Sequence, residues 1–202
     1  MTKPKLIYFN APVSRGEECR LAFQLAGIDF EDVRIEGSAW PAMKEDTPYG
    51  GMPILELPGH PPLAQVNAIL VLIGRRHGLH PTDDFEAARH EAMMQHVEDL
   101  RWNVTPTLRM SEPEKKAARE ALVAGYLPAW ARRAEKNILS EPFFGGAKIN
   151  VVDLKLHMAV RWFIGGKVDY VPATIFAEYP RLMRVHDAVR DHPGVKSWYA
   201  RG

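Results

Sequence analysis

The residues best suited to chemistry in this chain are a tyrosine and an arginine near its start. Tyr8 lies at the end of a short apolar segment, and Arg15 follows after a loop-forming stretch. A phenolic hydroxyl can donate a hydrogen bond to an anion such as a thiolate, and a nearby guanidinium adds a favourable positive charge. The pair is therefore a candidate anion-stabilising site, while a core position for the Tyr8 ring is an equally good interpretation from these residues alone.

Other common catalytic patterns do not occur in the sequence. Cys19 is the single cysteine, so the chain has no paired-cysteine redox motif, and we expect Cys19 to be a small buried side chain in a reducing compartment. The eight histidines are scattered without a metal-ligand spacing. Because phosphate-binding and dinucleotide motifs are also missing, the sequence predicts neither a metal nor a nucleotide cofactor.

Charge and hydropathy limit the classes of partner. The 26 lysines and arginines nearly cancel the 25 aspartates and glutamates, which gives no reason to expect nucleic acid or an anionic membrane. The first residues lack a signal-peptide core, and no apolar run approaches the roughly 18 residues of a membrane helix. We therefore expect a cytoplasmic protein that binds neither nucleic acid nor a membrane.

The elements that must position Tyr8 and Arg15 follow from the hydrophobic periodicity. Alternating segments predict strands and 3.6-residue spacing predicts helices. The predicted order is a strand at residues 5–9, a helix at 16–26, strands at 30–35, 54–57 and 63–64, and a helix at 66–77, with a helical turn near 40–45. The strand–helix–strand start favours a parallel pair with a helical crossover.

Strand signals almost vanish after residue 81, and helical patterns replace them. Helices are predicted at residues 85–110, 113–139, 151–164, 179–190 and 194–199. Asn150 and Asp153 have the spacing of a capping box at the third of these helices. We therefore expect an α/β domain at residues 1–81 and an all-α domain at residues 82–202.

Five short segments, in this order and spacing, resemble the cytosolic glutathione transferases of the tyrosine type, sigma or mu-like. They are residues 5–10 (Lys-Leu-Ile-Tyr-Phe-Asn), 28–35 (Ile-Asp-Phe-Glu-Asp-Val-Arg-Ile), 40–44 with 50–55 (Trp-Pro-Ala-Met-Lys and Gly-Gly-Met-Pro-Ile-Leu), and 65–70 (Gln-Val-Asn-Ala-Ile-Leu). The resemblance implies a thioredoxin-like N-terminal domain, a helical C-terminal domain and glutathione as co-substrate, with no other cofactor.

The resemblance also implies roles for individual residues. Tyr8 matches the tyrosine that activates the glutathione thiol, Arg15 the arginine that supports it, and Phe9 a residue beside the sulfur. Trp40 and Lys44 match the residues that hold the glycyl carboxylate. Met52, before a cis Pro53, matches the residue whose backbone pairs with the cysteinyl part of glutathione. Gln65 and the start of its helix match the site of the γ-glutamyl carboxylate.

One position departs from the family pattern. The residue after Gln65 is usually Ser or Thr, whose hydroxyl donates to the γ-glutamyl carboxylate, whereas this chain has Val66. Losing a hydrogen bond to a charged group costs about 1.5–3 kcal/mol, although the backbone N–H of Val66 remains. We expect a raised KM for glutathione.

The remaining expectations concern the second substrate and the dimer. The resemblance implies a homodimer, with Asp99 rather than Glu98 reaching the γ-glutamyl ammonium across the interface and Tyr49 as the aromatic key. A hydrophobic electrophile is expected to bind in an apolar pocket beside Phe9, lined by Asn10, Arg101, Trp102, Thr105, Trp198 and Tyr199. Two alternatives use the same fold: a ligand carrier without catalysis, for which Val66 is the best argument, and a glutathione-dependent isomerase.

Overall fold

A computed structural model of the chain describes residues 3–201. The first part contains every strand in that range together with three helices: β1 (Lys5–Phe9), α1 (Ser14–Leu25), β2 (Glu31–Ile35), α2 (Trp40–Met43), β3 (Ile54–Glu56), β4 (Leu63–Ala64) and α3 (Val66–His77). The second part is helical: α4 (Asp84–Val104), α5 (Glu112–Ala121), α6 (Leu127–Asn137), α7 (Val151–Ile164), α8 (Pro180–Asp191) and α9 (Pro193–Tyr199). The α/β and all-α composition expected from the sequence is confirmed, while residues 1, 2 and 202 of the expected domains lie outside the described range.

The four strands form one mixed sheet in the order β2-β1-β3-β4. β1 runs parallel to β2, as the strand–helix–strand pattern predicts, and antiparallel to β3. Its register pairs Ile7 with Ile54, and Ile54 also pairs with Ala64 on β4. One end of the sheet therefore contains the last residues of β1, β2 and β4 and the first residue of β3. Loops that follow or precede these residues meet there.

Helix α1 is buried on all its faces through most of its length. Every residue from Glu17 to Phe23 is buried, because the helix contacts β1 and α3 in its own part of the chain and α7 and α9 in the other part. It begins at Ser14, two residues before the sequence-predicted start. Cys19 is fully buried and burial raises the pKa of its thiol, so the expectation of a small buried side chain is confirmed.

The helical part agrees with the predicted pattern except at prolines and boundaries. The predicted helix at residues 85–110 ends at Val104, where a 3-10 segment, Thr105–Arg109, begins. Pro106 explains the change, since its ring clashes with the carbonyl four residues earlier in a continuing α-helix. The predicted helix at 113–139 is divided into α5 and α6 by a π-helical turn, Leu122–Tyr126. None of the helices within residues 3–201 is both long and apolar enough to cross a membrane.

The capping box predicted at the start of α7 is present. The Asp153 carboxylate accepts hydrogen bonds from the backbone N–H of Phe144, at 2.7 Å, and of Asn150, at 2.8 Å. Asp153 is fully buried, and burial raises its pKa to about 7 while these hydrogen bonds act in the opposite direction. The carboxylate thus ties the loop before α7 to the first turn of the helix.

Two buried histidines join α7 to α8. The rings of His157 and His186 stack with centroids 4.4 Å apart, and Nδ1 of each lies 3.0 and 3.2 Å from the backbone carbonyl oxygen of the other. Both Nδ1 atoms must carry a proton to donate, which fixes the tautomer of the neutral rings. Burial, with a smaller contribution from His186, lowers the pKa of His157 to about 3.

This pair makes the stability of the fold sensitive to acid. Between about pH 6.5 and pH 3 the unfolded chain binds a proton at His157 that the folded chain does not, so the free energy of unfolding decreases as the pH falls through that window. Replacing His157 by Phe is expected to lower stability at pH 7 and to flatten its dependence between pH 7 and 5. Urea unfolding at several pH values measures both effects. The exposed His60→Phe variant is the control, and a His157→Phe slope equal to the wild-type slope would contradict the assignment.

Candidate functional site

The Tyr8 side chain lies between the sheet and the first turn of α1. The residue is only 7% exposed, and its ring packs against the backbone of Gly16 so closely that a Cβ atom there would lie 2.0 Å from Tyr8 Cδ1. No side chain fits at this position, so Gly16 is required by the close approach of helix and ring. Sequence reasoning missed Gly16. The available indication was the glycine directly after Arg15 in a segment predicted to be helical, where glycine is unfavourable.

Arg20 holds the loop that follows Tyr8. Its fully buried guanidinium donates to the backbone carbonyl of Phe9 at 3.1 Å and of Ala11 at 2.9 Å, and it pairs with Glu17 and Asp32. Buried carbonyl groups need such donors, and a buried guanidinium needs such acceptors. The interaction fixes the path of the chain out of β1. Sequence reasoning also missed this residue, although an arginine between Cys19 and Leu21 in an apolar run was the available signal.

The environment of the Tyr8 hydroxyl keeps it protonated. Burial raises the pKa of Tyr8, while the positive charge of Arg15 and a hydrogen bond with Ser14 lower it. The effect of burial prevails and the pKa of Tyr8 is raised, so the hydroxyl is neutral and able to donate at physiological pH. A neutral donor beside a guanidinium suits the stabilisation of an external anion.

Arg15 is held on the second domain rather than being free. Its Nε and Nη2 atoms both lie 2.8 Å from Oε2 of Glu98 on α4. The side chain is 29% exposed, so one side of the guanidinium still faces solvent. The expected proximity of Arg15 to Tyr8 agrees with its effect on the Tyr8 pKa. Glu98 is thereby paired with Arg15, whereas its neighbour Asp99 is exposed and makes no contact with Arg15 among the hydrogen bonds of the described residues.

Several of the expected glutathione-binding residues meet at one end of the sheet. The register that pairs Ile7 with Ile54 and Ile54 with Ala64 places Tyr8, Pro53 and Gln65 side by side across three strands. The Met52–Pro53 peptide bond is cis, as the resemblance implies. A row of binding groups thus runs across the sheet from Tyr8 to the start of α3.

A second row runs from Tyr8 toward α2. The ring of Phe9 makes edge-to-face contacts with Tyr8, at 5.4 Å between centroids, and with Trp40, at 6.3 Å. Lys44 follows one turn after Trp40, and its side chain is exposed beside Gly50. The partly exposed indole of Trp40, in contact with Phe9, and the exposed ammonium of Lys44 are the donor types that a carboxylate would require.

The start of α3 offers backbone rather than side-chain donors. Gln65 is exposed at the N-cap with a φ of 73°, and the side chain of Val66 is buried in the core. The free N–H groups of the first helical turn remain able to bind an anion. Asn67 lies in this turn, and its Oδ1 atom is buried without a hydrogen-bond partner.

Three residues expected in the electrophile pocket have other surroundings. Arg101 is 3% exposed and pairs with Glu18 and Glu98, so it does not line an open pocket. Asn10 donates its amide to Glu36 at 3.2 Å. Trp198 stacks on Phe30, which precedes β2 at the end of the sheet opposite Phe9. The placements of Arg101 and Trp198 correct the sequence-based expectation, because their positions in the chain do not reveal their distant partners. Asn10 is exposed in the loop directly after Phe9, and its expected role stays a prediction.

The other expected residues of the second domain lie on its surface. Trp102 is 72% exposed and Thr105 is exposed at the end of α4. Tyr199 accepts a hydrogen bond from Arg161. Asp99 is exposed, and its carboxylate accepts a hydrogen bond from Gln95. Within residues 3–201 no group of three or more histidine, cysteine, aspartate or glutamate side chains has the arrangement of a metal site.

Comparisons with known proteins indicate the family and the fold of the chain. Residues 98–202 match the family model described as the glutathione S-transferase C-terminal domain. The chain is 33% identical to "Probable glutathione S-transferase 6" of Caenorhabditis elegans over 80% of each chain. It is 28% identical to "Hematopoietic prostaglandin D synthase" of Gallus gallus over 98% of this chain and 96% of the relative. The solved structure of prostaglandin synthase D of Nilaparvata lugens superposes with a TM-score of 0.86 at 26% identity, covering 98% of both chains.

The contact between Gly16 and Tyr8 gives a direct test of the site. We expect Gly16→Ala to displace the Tyr8 ring and to destabilise the protein by about 1–3 kcal/mol, the usual cost of overpacking. Gly125→Ala is the matched control, because nothing lies within 4 Å of the added Cβ, and there alanine should be neutral or stabilising. Chemical unfolding of both variants measures the difference. Equal stabilities would show that the ring is not held in this way.

Proposed function

This chain belongs to the glutathione S-transferase family, and from that membership we propose that it uses Tyr8 to activate the glutathione thiol for attack on a hydrophobic electrophile. The observation that supports this proposal best is the protonated, buried hydroxyl of Tyr8 beside Arg15. The proposal extends to the location and the domains of the chain: a cytoplasmic protein with a boundary between residues 81 and 82.

The proposed mechanism stabilises the thiolate form of glutathione. A free thiol of this kind has a pKa near 8.5, so only a small fraction is ionised at neutral pH. Lowering the pKa by about two units needs about 2.7 kcal/mol of preferential interaction with the anion. One hydrogen bond from neutral Tyr8 together with the charge of Arg15 is of that size. The raised pKa of Tyr8 matters here, since a tyrosinate could not donate and would repel the thiolate.

The rest of glutathione is proposed to bind along the two rows of groups next to Tyr8. Trp40 and Lys44 would bind the glycyl carboxylate, and the backbone of Met52 would pair with the cysteinyl part as an added strand does. Gln65 and the backbone N–H of Val66 would bind the γ-glutamyl carboxylate. The electrophile would bind beside Phe9, with Trp102 and Thr105 as the exposed residues of α4 available to it.

Replacing Tyr8 by Phe tests the proposed activator. The variant keeps the ring that packs on Gly16 and loses only the hydroxyl, so we expect glutathione to bind nearly as well while kcat/KM falls about 10- to 100-fold. Conjugation of glutathione to a chlorodinitrobenzene-type electrophile measures the rate. Tyr170→Phe, a partly exposed tyrosine outside the proposed site, is the control. Equal rates in wild type and Tyr8→Phe would contradict the assignment, and an inactive wild type that fails to bind immobilised glutathione would favour a ligand carrier.

Replacing Val66 by Ser tests whether the missing hydroxyl weakens binding of the γ-glutamyl carboxylate. A hydroxyl at the first turn of α3 would add a donor for the γ-glutamyl carboxylate, so we expect the KM for glutathione to fall about 10-fold, with kcat little changed. Val71→Ser on the same helix, a partly buried valine outside the site, is the matched control for the loss of apolar surface. An unchanged KM would show that the backbone donors already satisfy the ligand.

A homodimer is part of the proposal, with Tyr49 as the aromatic key. Tyr49 is 69% exposed in the loop before Gly50, which is unusual for a large aromatic side chain. A pocket of about 300 Å³ opens between α4 and α6, and its apolar lining includes Ala92, Met93 and Phe144. We propose that Tyr49 of one subunit enters this pocket of the other, which would also bring Asp99 to the neighbouring glutathione.

Replacing Tyr49 by Ala is therefore expected to shift the protein from dimer to monomer at micromolar concentration, measured by analytical ultracentrifugation. The exposed Leu108→Ala variant, in the 3-10 segment after α4 and outside the lining of this pocket, controls for the general loss of apolar surface. A dimer of unchanged affinity in Tyr49→Ala would contradict the role of the key.

A glutathione-dependent isomerase is the second candidate function. The Gallus gallus relative named a prostaglandin D synthase aligns with nearly the whole chain, which supports this candidate. Both reactions would use the same thiolate at Tyr8 and would differ in whether glutathione is consumed. Following glutathione consumption during turnover of an endoperoxide substrate distinguishes conjugation from isomerisation.

A further inference from the structure

Five charged side chains form a cluster where the two parts of the chain meet. Arg15 and Glu18 come from α1, Glu98 and Arg101 from α4, and Lys155 from α7. Glu18 and Lys155 are fully buried, Arg101 and Glu98 are nearly so, and Arg15 is the most exposed member of the cluster. Burying this many charges is costly unless each is paired, so the pairing decides how the cluster behaves.

Glu98 occupies the centre of this cluster because its two oxygens face different partners. Oε2 accepts both hydrogen bonds from Arg15. Oε1 accepts from Arg101 Nη1 at 2.6 Å and from Lys155 Nζ at 2.5 Å. The two inner cations thus fix the orientation of the carboxylate, and the carboxylate fixes Arg15. Lys155 and Arg15 both bind the Glu98 carboxylate, so a substitution of Lys155 affects the position of Arg15 through Glu98.

Glu18 satisfies the inner side of the cluster. It pairs with Arg101 and accepts from Lys155 Nζ at 3.2 Å. With all groups ionised, two carboxylates face three cations, and the cluster carries one net positive charge. Burial, and next to it the charge of Arg101, lower the pKa of Lys155, while Glu18 and Glu98 act in the opposite direction; the net direction is downward. The two lysine contacts of 2.5 and 3.2 Å to carboxylate oxygens are those of an ion pair.

The charges of this cluster act on the Tyr8 hydroxyl. Arg15 and Arg101 lower the pKa of Tyr8, and Glu18 raises it. Cys19, the other titratable group of α1 against the cluster, stays neutral because burial raises the pKa of its thiol. Arg20 of α1 is paired separately with Glu17 and Asp32. The excess positive charge therefore has its solvent-facing end at Arg15, beside Tyr8.

We propose that Lys155 is a positioning residue for thiol activation, although it lies on α7 in the second domain. Acting through Glu98, it orients Arg15, and its charge leaves the cluster positive where the thiolate would bind. This inference rests on the proposed function of Tyr8 and Arg15. In chemical terms, the ammonium of Lys155 offsets a carboxylate that would otherwise neutralise Arg15. Sequence reasoning missed Lys155, although a lysine in the apolar run of α7 was the signal.

The test uses pairs of variants with opposite effects on charge. Lys155→Met removes one positive charge and Glu18→Gln removes one negative charge, with little change in shape. The thiolate of enzyme-bound glutathione absorbs in the ultraviolet, so its pKa is read directly from absorbance as a function of pH. We expect Lys155→Met to raise that pKa by about half to one pH unit and Glu18→Gln to lower it by a similar amount, the size of effect of a nearby buried unit charge. The double variant should return close to wild type.

The controls separate this inference from a structural role and from the proposed function. Lys196→Met removes an exposed charge on α9 and should leave the thiol pKa unchanged. If both cluster variants shift the pKa in the same direction, or neither shifts it, the inference is overturned. If Lys155→Met does not fold, the sign of the shift in Glu18→Gln decides the question by itself. A wild-type protein whose bound thiol has the pKa of free glutathione would instead contradict the proposed function.

Discussion

The contact of the Tyr8 ring with the backbone of α1 is the constraint on which the rest of the site depends. Gly16 allows the helix to approach the ring, and this approach buries the tyrosine while leaving its hydroxyl at the end of the sheet. Burial raises the pKa of Tyr8 and so keeps the hydroxyl able to donate. The same geometry therefore provides both the position of the donor and its protonation state.

Helix α1 carries the charges that link this contact to the remainder of the molecule. Arg20 ties the helix to the loop after β1, and Glu18 with Arg15 ties it to α4 and α7. Buried ion pairs contribute little net stability compared with apolar packing, but removing one partner is costly. Their effect here is to fix the relative position of the sheet and the helical part. The proposed thiol activation and the packing of the two parts of the chain thus involve the same side chains.

Much of the fold was predictable because it depends on local patterns. The strand order at the start, the helix α7 and its capping box at Asn150 and Asp153 followed from periodicity and spacing. The cluster around Glu98 was not predictable, because Glu98 is 83 residues from Arg15 and 57 residues from Lys155 along the chain. Arg101 and Trp198 were expected in the electrophile pocket, but their position along the chain does not reveal their partners. Arg101 pairs instead with acidic residues, and Trp198 stacks on Phe30.

The crystal structure of the protein with glutathione tests the central claim most directly. We expect the glutathione sulfur within hydrogen-bonding distance of the Tyr8 hydroxyl, about 3.0–3.4 Å, with Arg15 still paired to Glu98 and its exposed side toward the sulfur. The tripeptide would extend from there toward Trp40 and the start of α3. A sulfur that contacts another donor, with the Tyr8 hydroxyl unoccupied by the ligand, would contradict it.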